Sequence, residues 1–272
     1  MSTTTQHPFA LIERAYRGTL QPAVRRLVPG RARAWVSTQL ERFDCRPPVG
    51  LVRFGDLRRT RPISKCWGME RGQIIDRYYI ERFLERHADD VRGRVLEIAE
   101  DTYTKRFGGS RVTASEILHA TAENPRATIV GDLTDGANLA SESFDCLLLT
   151  QTIQVIYDVR AVLRTAYRIL RPGGVLLATT HGISKLSRWD MDRWGEYWRF
   201  TSLSARRLVE QVFPADTIEI RAHGNVLVAT AFLYGLAAED LTPRELNDTD
   251  PDYEMIVTIR AVKPAARTKA GR

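Results

Sequence analysis

Residues 131–180 read GDLTDGANLASESFDCLLLTQTIQVIYDVRAVLRTAYRILRPGGVLLATT, and this stretch decides the fold. Two apolar runs, FDCLLLT (144–150) and GVLLATT (174–180), are too short for helices and too continuous for strands with one wet face. Between them Asp158 offers an N-cap. Val159, Val162, Leu163, Ala166, Tyr167 and Leu170 then recur at the spacing of one helical face. Arg171-Pro172-Gly173-Gly174 stops that helix. Strand, amphipathic helix, strand is the unit of a parallel sheet with both faces covered.

Working outward, RVLEI (94–98), RVTAS (111–115) and ATIVG (127–131) predict three earlier strands, and TIEIRAHG (217–224) and YEMIVTIRAVK (253–263) two later ones. DRYYIERFLERH predicts a helix capped by Asp76, with Tyr79, Ile80, Phe83 and Leu84 facing inward. SARRLVEQVF (204–213) predicts another amphipathic helix. The apolar run VLVATAFLYGLAA (226–238), interrupted by Gly235, is too short to span a bilayer and is expected to be a buried core element. The sum is an α/β chain with a doubly wound seven-stranded sheet, ending in a hairpin-like pair.

The chain has 272 residues, 43% of them hydrophobic and 27% charged, with a net charge of +7. That charge is uneven: residues 1–94 hold 19 basic and 10 acidic side chains, residues 95–272 hold 21 and 23. The division expected is a basic, mostly helical extension over 1–70, broken by Pro22, Pro29, Pro47 and Pro48, and an α/β domain over 71–272. Cys45, Cys66 and Cys146 match no metal-binding spacing, so neither a disulfide framework nor a metal is expected, and a reducing cytoplasm is the expected location. No signal peptide or membrane span is expected.

Ligands of doubly wound sheets bind beyond the carboxyl ends of the strands. The residues following the runs are Glu97 to Tyr103, then Glu116, Asp132, and Thr150 to Gln154. Glu116 stands 19 residues beyond Glu97, the spacing at which a carboxylate accepts from a ribose diol. Asp132 could accept from an adenine amine. Solvated loop carboxylates are the alternative for both.

Residues 95–180 resemble a class I S-adenosylmethionine-dependent methyltransferase of the type 11-like kind. The likeness is strongest over 131–180, extends to YWRFTSLSARRLVEQVFP, and includes RVLEI. RGQIIDRYYIERFL (71–84) resembles the segment before the core in a bacterial subset from glycan and natural-product pathways. The resemblance implies a Rossmann-like fold and S-adenosylmethionine as donor, leaving as S-adenosylhomocysteine. It implies donor roles for Glu97, Glu116, Asp132 with Leu133, and Gln151. Arg77 and Tyr79 are expected over the same site, with a core-packing helix as the alternative. The family pattern E-x-G-x-G-x-G is not kept: Ala99, Asp101 and Tyr103 replace its glycines. Either Tyr103 and Thr104 turn toward the donor on a different path, or the donor site is impaired.

His181, directly after the fifth strand, is the histidine best placed to take a proton from an acceptor. Trp194, Tyr197 and Trp198 are expected to wall the acceptor, with a core-packed lid as the alternative. The function expected is methyl transfer to a hydroxyl or amine of a small molecule. Three alternatives stay open: a catalytically silent partner subunit, an RNA methyltransferase using the basic front (nucleic acid being disfavoured), and an aminocarboxypropyl transferase. A small-molecule acceptor is the expected partner, no membrane is expected, and a homodimer is compatible with the sequence.

Overall fold

The chain divides into two compact units, Met1–Arg59 and Thr60–Arg272, and the computed structural model describes residue 47 and residues 50–265. Of the first unit this leaves a 3-10 turn, Gly55–Leu57, with the Arg58 guanidinium 5.9 Å from the Phe54 ring centre. The helices expected before residue 47 lie outside the described residues. Within the second unit Ile63 and Ser64 both donate to the Tyr234 carbonyl (2.8 and 3.2 Å). That contact ties residues 60–70 to the second unit.

In the second unit seven strands form one sheet: β1 (Gly93–Ile98), β2 (Val112–His119), β3 (Ile129–Val130), β4 (Phe144–Thr150), β5 (Leu170–His181), β6 (Ile218–His223) and β7 (Ile256–Val262). Their order is β3-β2-β1-β4-β5-β7-β6. The first five pair in parallel, while β7 runs antiparallel to both of its neighbours. This is the expected Rossmann-like doubly wound sheet with a late antiparallel pair.

The strand side chains alternate between two cores. Leu96, Leu147, Leu149, Leu176 and Ala178 belong to one; Val95, Cys146, Leu148, Val175 and Leu177 belong to the other. An unbroken apolar run is what a period of two looks like when both faces are buried. On the first face lie α2 (Val159–Ile169) and α4 (Ser202–Val209); on the second lie α1 (Ile75–Arg86) and α5 (Val226–Tyr234). Helix α2 buries Val162, Leu163, Ala166 and Ile169, and its larger side chains each contribute roughly 1.5–3 kcal/mol of burial free energy. The Asp158 carboxylate accepts from Ala161 N–H at 2.9 Å, the cap its position foretold. Two short helices, α3 (Arg188–Arg193) and α6 (Pro243–Asn247), complete the unit. Among the described residues no helix is long and apolar enough to cross a membrane, and no group of three or more potential ligands could hold a metal.

Helix α5 buries Val228, Ala229, Ala231 and Phe232 but leaves Val226, Leu227 and Leu233 exposed, so this apolar run is buried on one side only. It ends at Gly235, φ 71°, where a Cβ would stand 2.4 Å from the Ser64 carbonyl oxygen. Both the left-handed backbone and the backbone contact resist a side chain there. Gly235→Ala is expected to cost more than about 1 kcal/mol in urea unfolding.

Helix α1 lays Tyr79 on the His223 ring at the end of β6, centroids 5.5 Å apart and planes 27° from parallel. Burial, assisted by the charges of Arg86 and Arg221, pushes the His223 imidazole down from 6.5 to about 4. Folded His223 thus binds its proton more weakly than the unfolded chain does, and stability falls as pH drops from about 6.5 toward 4. The loss from this group is on the order of 3 kcal/mol. His223→Gln should flatten the stability profile across that window in denaturant titrations.

Candidate functional site

In a sheet of this order the strand sequence reverses between β1 and β4, and the crevice at their carboxyl ends is where ligands bind. Two non-glycine residues adopt left-handed backbone at those ends, Ala99 after β1 (φ 65°) and Gln151 after β4 (φ 51°). For an L-residue this costs roughly 1–2 kcal/mol, and such strain concentrates at functional sites.

Glu97 organises the loop after β1. Its carboxylate, 2% exposed, accepts from the backbone N–H groups of Tyr103 (3.2 Å) and Thr104 (2.7 Å). Burial raises its pKa, with the Thr104 and Tyr103 bonds acting in the opposite sense. The carboxylate therefore serves as a cap for the π-helical turn Thr104–Gly108, which is the short connection that leads to β2. Asn124 Nδ2 donates to the Ala99 carbonyl at 2.7 Å and holds the loop from the other side.

The side chains replacing the family's glycines each have a place. Asp101 pairs with Lys105 (2.8 Å) and with Arg126. Tyr103 is buried against α1, where its hydroxyl accepts from Arg77 Nη1 at 2.8 Å and its ring lies beside Phe107. Tyr103 and Arg77, both expected to face the donor, are thus each other's partners. Tyr79 also departs from expectation: its hydroxyl donates to the Leu246 carbonyl at 2.6 Å and its ring covers His223, two strands from β5.

Glu116 is not at a strand end. β2 continues to His119, Glu116 pairs in register with Leu96, and Arg94 donates to it at 2.9 and 3.2 Å. Arg94 together with Thr128 lowers its pKa, Thr128 being the larger cause. Counting from β1 places an acid at the right number of residues but cannot see that β2 runs three residues further. The end of β2 is His119, whose ring meets Trp194 edge-on at 5.7 Å. Asp132 follows β3 as an exposed carboxylate accepting from Thr134 N–H at 2.8 Å, and Leu133 is core.

At the end of β5, His181 Nε2 lies 3.4 Å from Asp76 Oδ2. Both residues are buried, 9% and 7% exposed. Asp76 was expected to cap α1 and does not: Ile74 forms a β-bridge with Ala237, so the helix begins one residue before Asp76 and sends its carboxylate to the sheet instead. Sequence reasoning missed this pair because periodicity finds a helix without showing which strand its first turn crosses.

Seven buried side-chain polar atoms lack a hydrogen-bond partner among the described residues, and four gather at the ends of β1, β4 and β5: Thr104 Oγ1, Gln151 Nε2, His181 Nδ1 and Asp76 Oδ1. Buried polar atoms are nearly always paired, so such a concentration points to a polar ligand at this edge. Gln151 Oε1 accepts from Gln154 Nε2 (2.9 Å), and Gln154 Oε1 accepts from Thr180 (3.1 Å), which fixes both amides.

The aromatic segment crosses the same edge. Tyr197 and Trp198 N–H donate to the Gln154 carbonyl (2.9 and 3.3 Å), and Phe200 N–H to that of His181 (2.9 Å). Tyr197 and Trp198 remain exposed and flank Tyr157, with centroids 5.4 and 5.9 Å away.

Residues 92–178 match a family model described as a methyltransferase domain. Over those residues, about a third of the chain, the protein is similar to methyltransferase domains, and its sheet order is that of a Rossmann-like fold. Similar solved structures include phosphoethanolamine N-methyltransferase 2 of Haemonchus contortus, 17% identical, covering 69% of this chain and 52% of that one, TM-score 0.46. This chain thus spans about half that enzyme's length. Others are the Haloferax volcanii complex of the Trm112 activator with a methyltransferase (13% identical, 71% and 94% covered, TM-score 0.46) and an S-adenosylmethionine-dependent methyltransferase from Archaeoglobus fulgidus (13%, 69% and 94%, 0.46). No curated protein matches the sequence.

Glu97→Ala would strand the Tyr103 and Thr104 N–H groups in the interior. A loss of at least about 2 kcal/mol is expected in urea unfolding.

Proposed function

We propose that this protein moves a methyl group from S-adenosylmethionine to a hydroxyl or amine of a small molecule, with His181 as the base and Asp76 as its positioning partner. The observation that carries the reading is the buried Asp76–His181 pair at the carboxyl end of β5, with Nδ1 of the ring left unpartnered. A carboxylate on Nε2 favours the tautomer with the proton there, which leaves a lone pair on Nδ1 for the acceptor's proton.

The residues at the crevice suit the donor at one end. Gln151 Nε2 has no partner among the described residues and can bond its amino acid part, and Asp132, one of whose oxygens is held by Thr134 N–H, has the other for the adenine amine. For the ribose the fit differs from the family pattern, since Glu116 is engaged by Arg94 and His119 occupies the end of β2. Bound there, the donor supplies a sulfonium whose methyl group is already activated. The chain's own residues orient the acceptor, through the wall formed by Trp194, Tyr197 and Trp198, and remove its proton at His181. A bacterial glycan or natural-product acceptor is the class that best suits these exposed aromatic faces.

Calorimetric titration with S-adenosylhomocysteine should give saturable binding, about tenfold weaker in Gln151→Ala. Absence of binding by the folded protein at millimolar ligand would overturn the reading. In a screen of hydroxyl- and amine-bearing acceptors with labelled donor, His181→Ala should lower kcat by about 10²–10⁴. Its affinity for S-adenosylhomocysteine should stay within about twofold, and unchanged turnover would remove the base assignment.

A further inference from the structure

Away from the donor crevice, the second half of α1 and the end of β6 enclose a half-open hollow of about 470 Å³. Arg82, Arg86 and Arg221 line it, with Asn247 at the end of α6, Thr249 just beyond it, and Tyr79 and Phe83 along its apolar side. Arg82 and Arg86 are four residues apart on one helix, hence on one face, where like charges repel. Neither forms an ion pair with any described residue, although Arg82 lies over the Tyr78 ring at 5.2 Å. Arg221 Nε is bonded to Glu219 at 2.7 Å.

The charge balance can be weighed. Glu219 offsets one of the three guanidinium groups, and the carboxyl end of α1 contributes about half a negative charge. The charged side chains that line the hollow are all arginines; Asp248 and Asp250, on either side of Thr249 in the chain, do not line it. Arg86 and Arg221 are close enough to His223 to help disfavour its protonation, behind burial as the larger cause, so the ring stays neutral near pH 7. All three arginines are exposed. They rim one concavity that also has apolar walls and amide and hydroxyl groups.

We propose that this hollow is a binding site for the phosphoryl group of an organic phosphate. Guanidinium forks bond phosphate oxygens in pairs, and a dianion suits a lining whose charged side chains are all arginines. Tyr79, Phe83 and Leu246 supply contact for the organic part, which a free phosphate ion would leave unused. The site lies on the same sheet edge as His181: His181 and His223 pair with Ile256 from opposite sides, which puts the two strand ends roughly 10 Å apart. The proposal does not depend on methyl transfer.

The test uses the full chain at constant ionic strength, titrated calorimetrically with inorganic phosphate, pyrophosphate and glucose 1-phosphate, with chloride as the control. Saturable binding of a phosphate compound is expected, reduced at least tenfold in the double variant Arg82→Gln/Arg86→Gln. That variant should keep the wild-type unfolding midpoint and S-adenosylhomocysteine titration. The His223 ring nitrogen shifts should move on binding, locating the ligand. Tighter binding of the ester than of inorganic phosphate supports an organic phosphate. Equal binding of the two overturns that part and leaves a phosphate ion site. No saturation up to tens of millimolar, or binding undiminished in the folded double variant, overturns the site altogether. Since S-adenosylhomocysteine is titrated separately, failure of the donor reading and failure of this one are distinguishable.

Discussion

The buried Glu97 carboxylate and the two backbone amides it receives set the rest of the site in place. Those bonds hold residues 99–104 where a glycine-rich loop would otherwise run, and they fix Tyr103 beneath α1. Tyr103 then takes Arg77, and the turn of α1 that carries Arg77 also carries Asp76 to His181. A buried carboxyl group is thus linked through one loop and one helix to the proposed base, some eighty residues further along the chain.

This arrangement explains how a loop without its usual glycines can remain compatible with a ligand. Glycine serves such loops by leaving room and by permitting left-handed backbone. Ala99 accepts the left-handed conformation at a cost, Asp101 is drawn off by Lys105 and Arg126, and Tyr103 is buried against α1. The strain at Ala99 and Gln151 is held by the pairing of adjacent parallel strands, which a flexible loop could not do.

Helix α1 gives this sheet edge two different chemistries. Its first turn meets β5 through Asp76 and His181, its second covers His223 with Tyr79, and its last turns hold Arg82 and Arg86 over the arginine-lined hollow. One amphipathic helix thus spans three strand ends. The basic excess of the first 94 residues does not come from this helix, whose three arginines are matched by Asp76, Glu81 and Glu85; five of the nine charges fall before residue 47 and four between residues 47 and 74.

The fold was legible because its signals are local. Apolar runs of strand length, the Asp158 cap and the inward stripe of Tyr79, Ile80, Phe83 and Leu84 depend only on neighbours a few residues away and appear as expected, whereas Arg171–Gly174, expected to stop the helix, lies inside β5, the helix having ended at Ile169. Residue types at the ends of β1, β4 and β5 were legible for the same reason. What sequence spacing could not decide is where each side chain points and where each strand stops. Glu116 fell three residues short of the end of β2, Tyr79 turned to β6, and Asp76 left its cap for His181. Those outcomes depend on register between strands distant in the chain and on the path of a helix across them. The sequence alone determined the parallel sheet and its covering helices; only tertiary packing decided which polar groups meet at its edge.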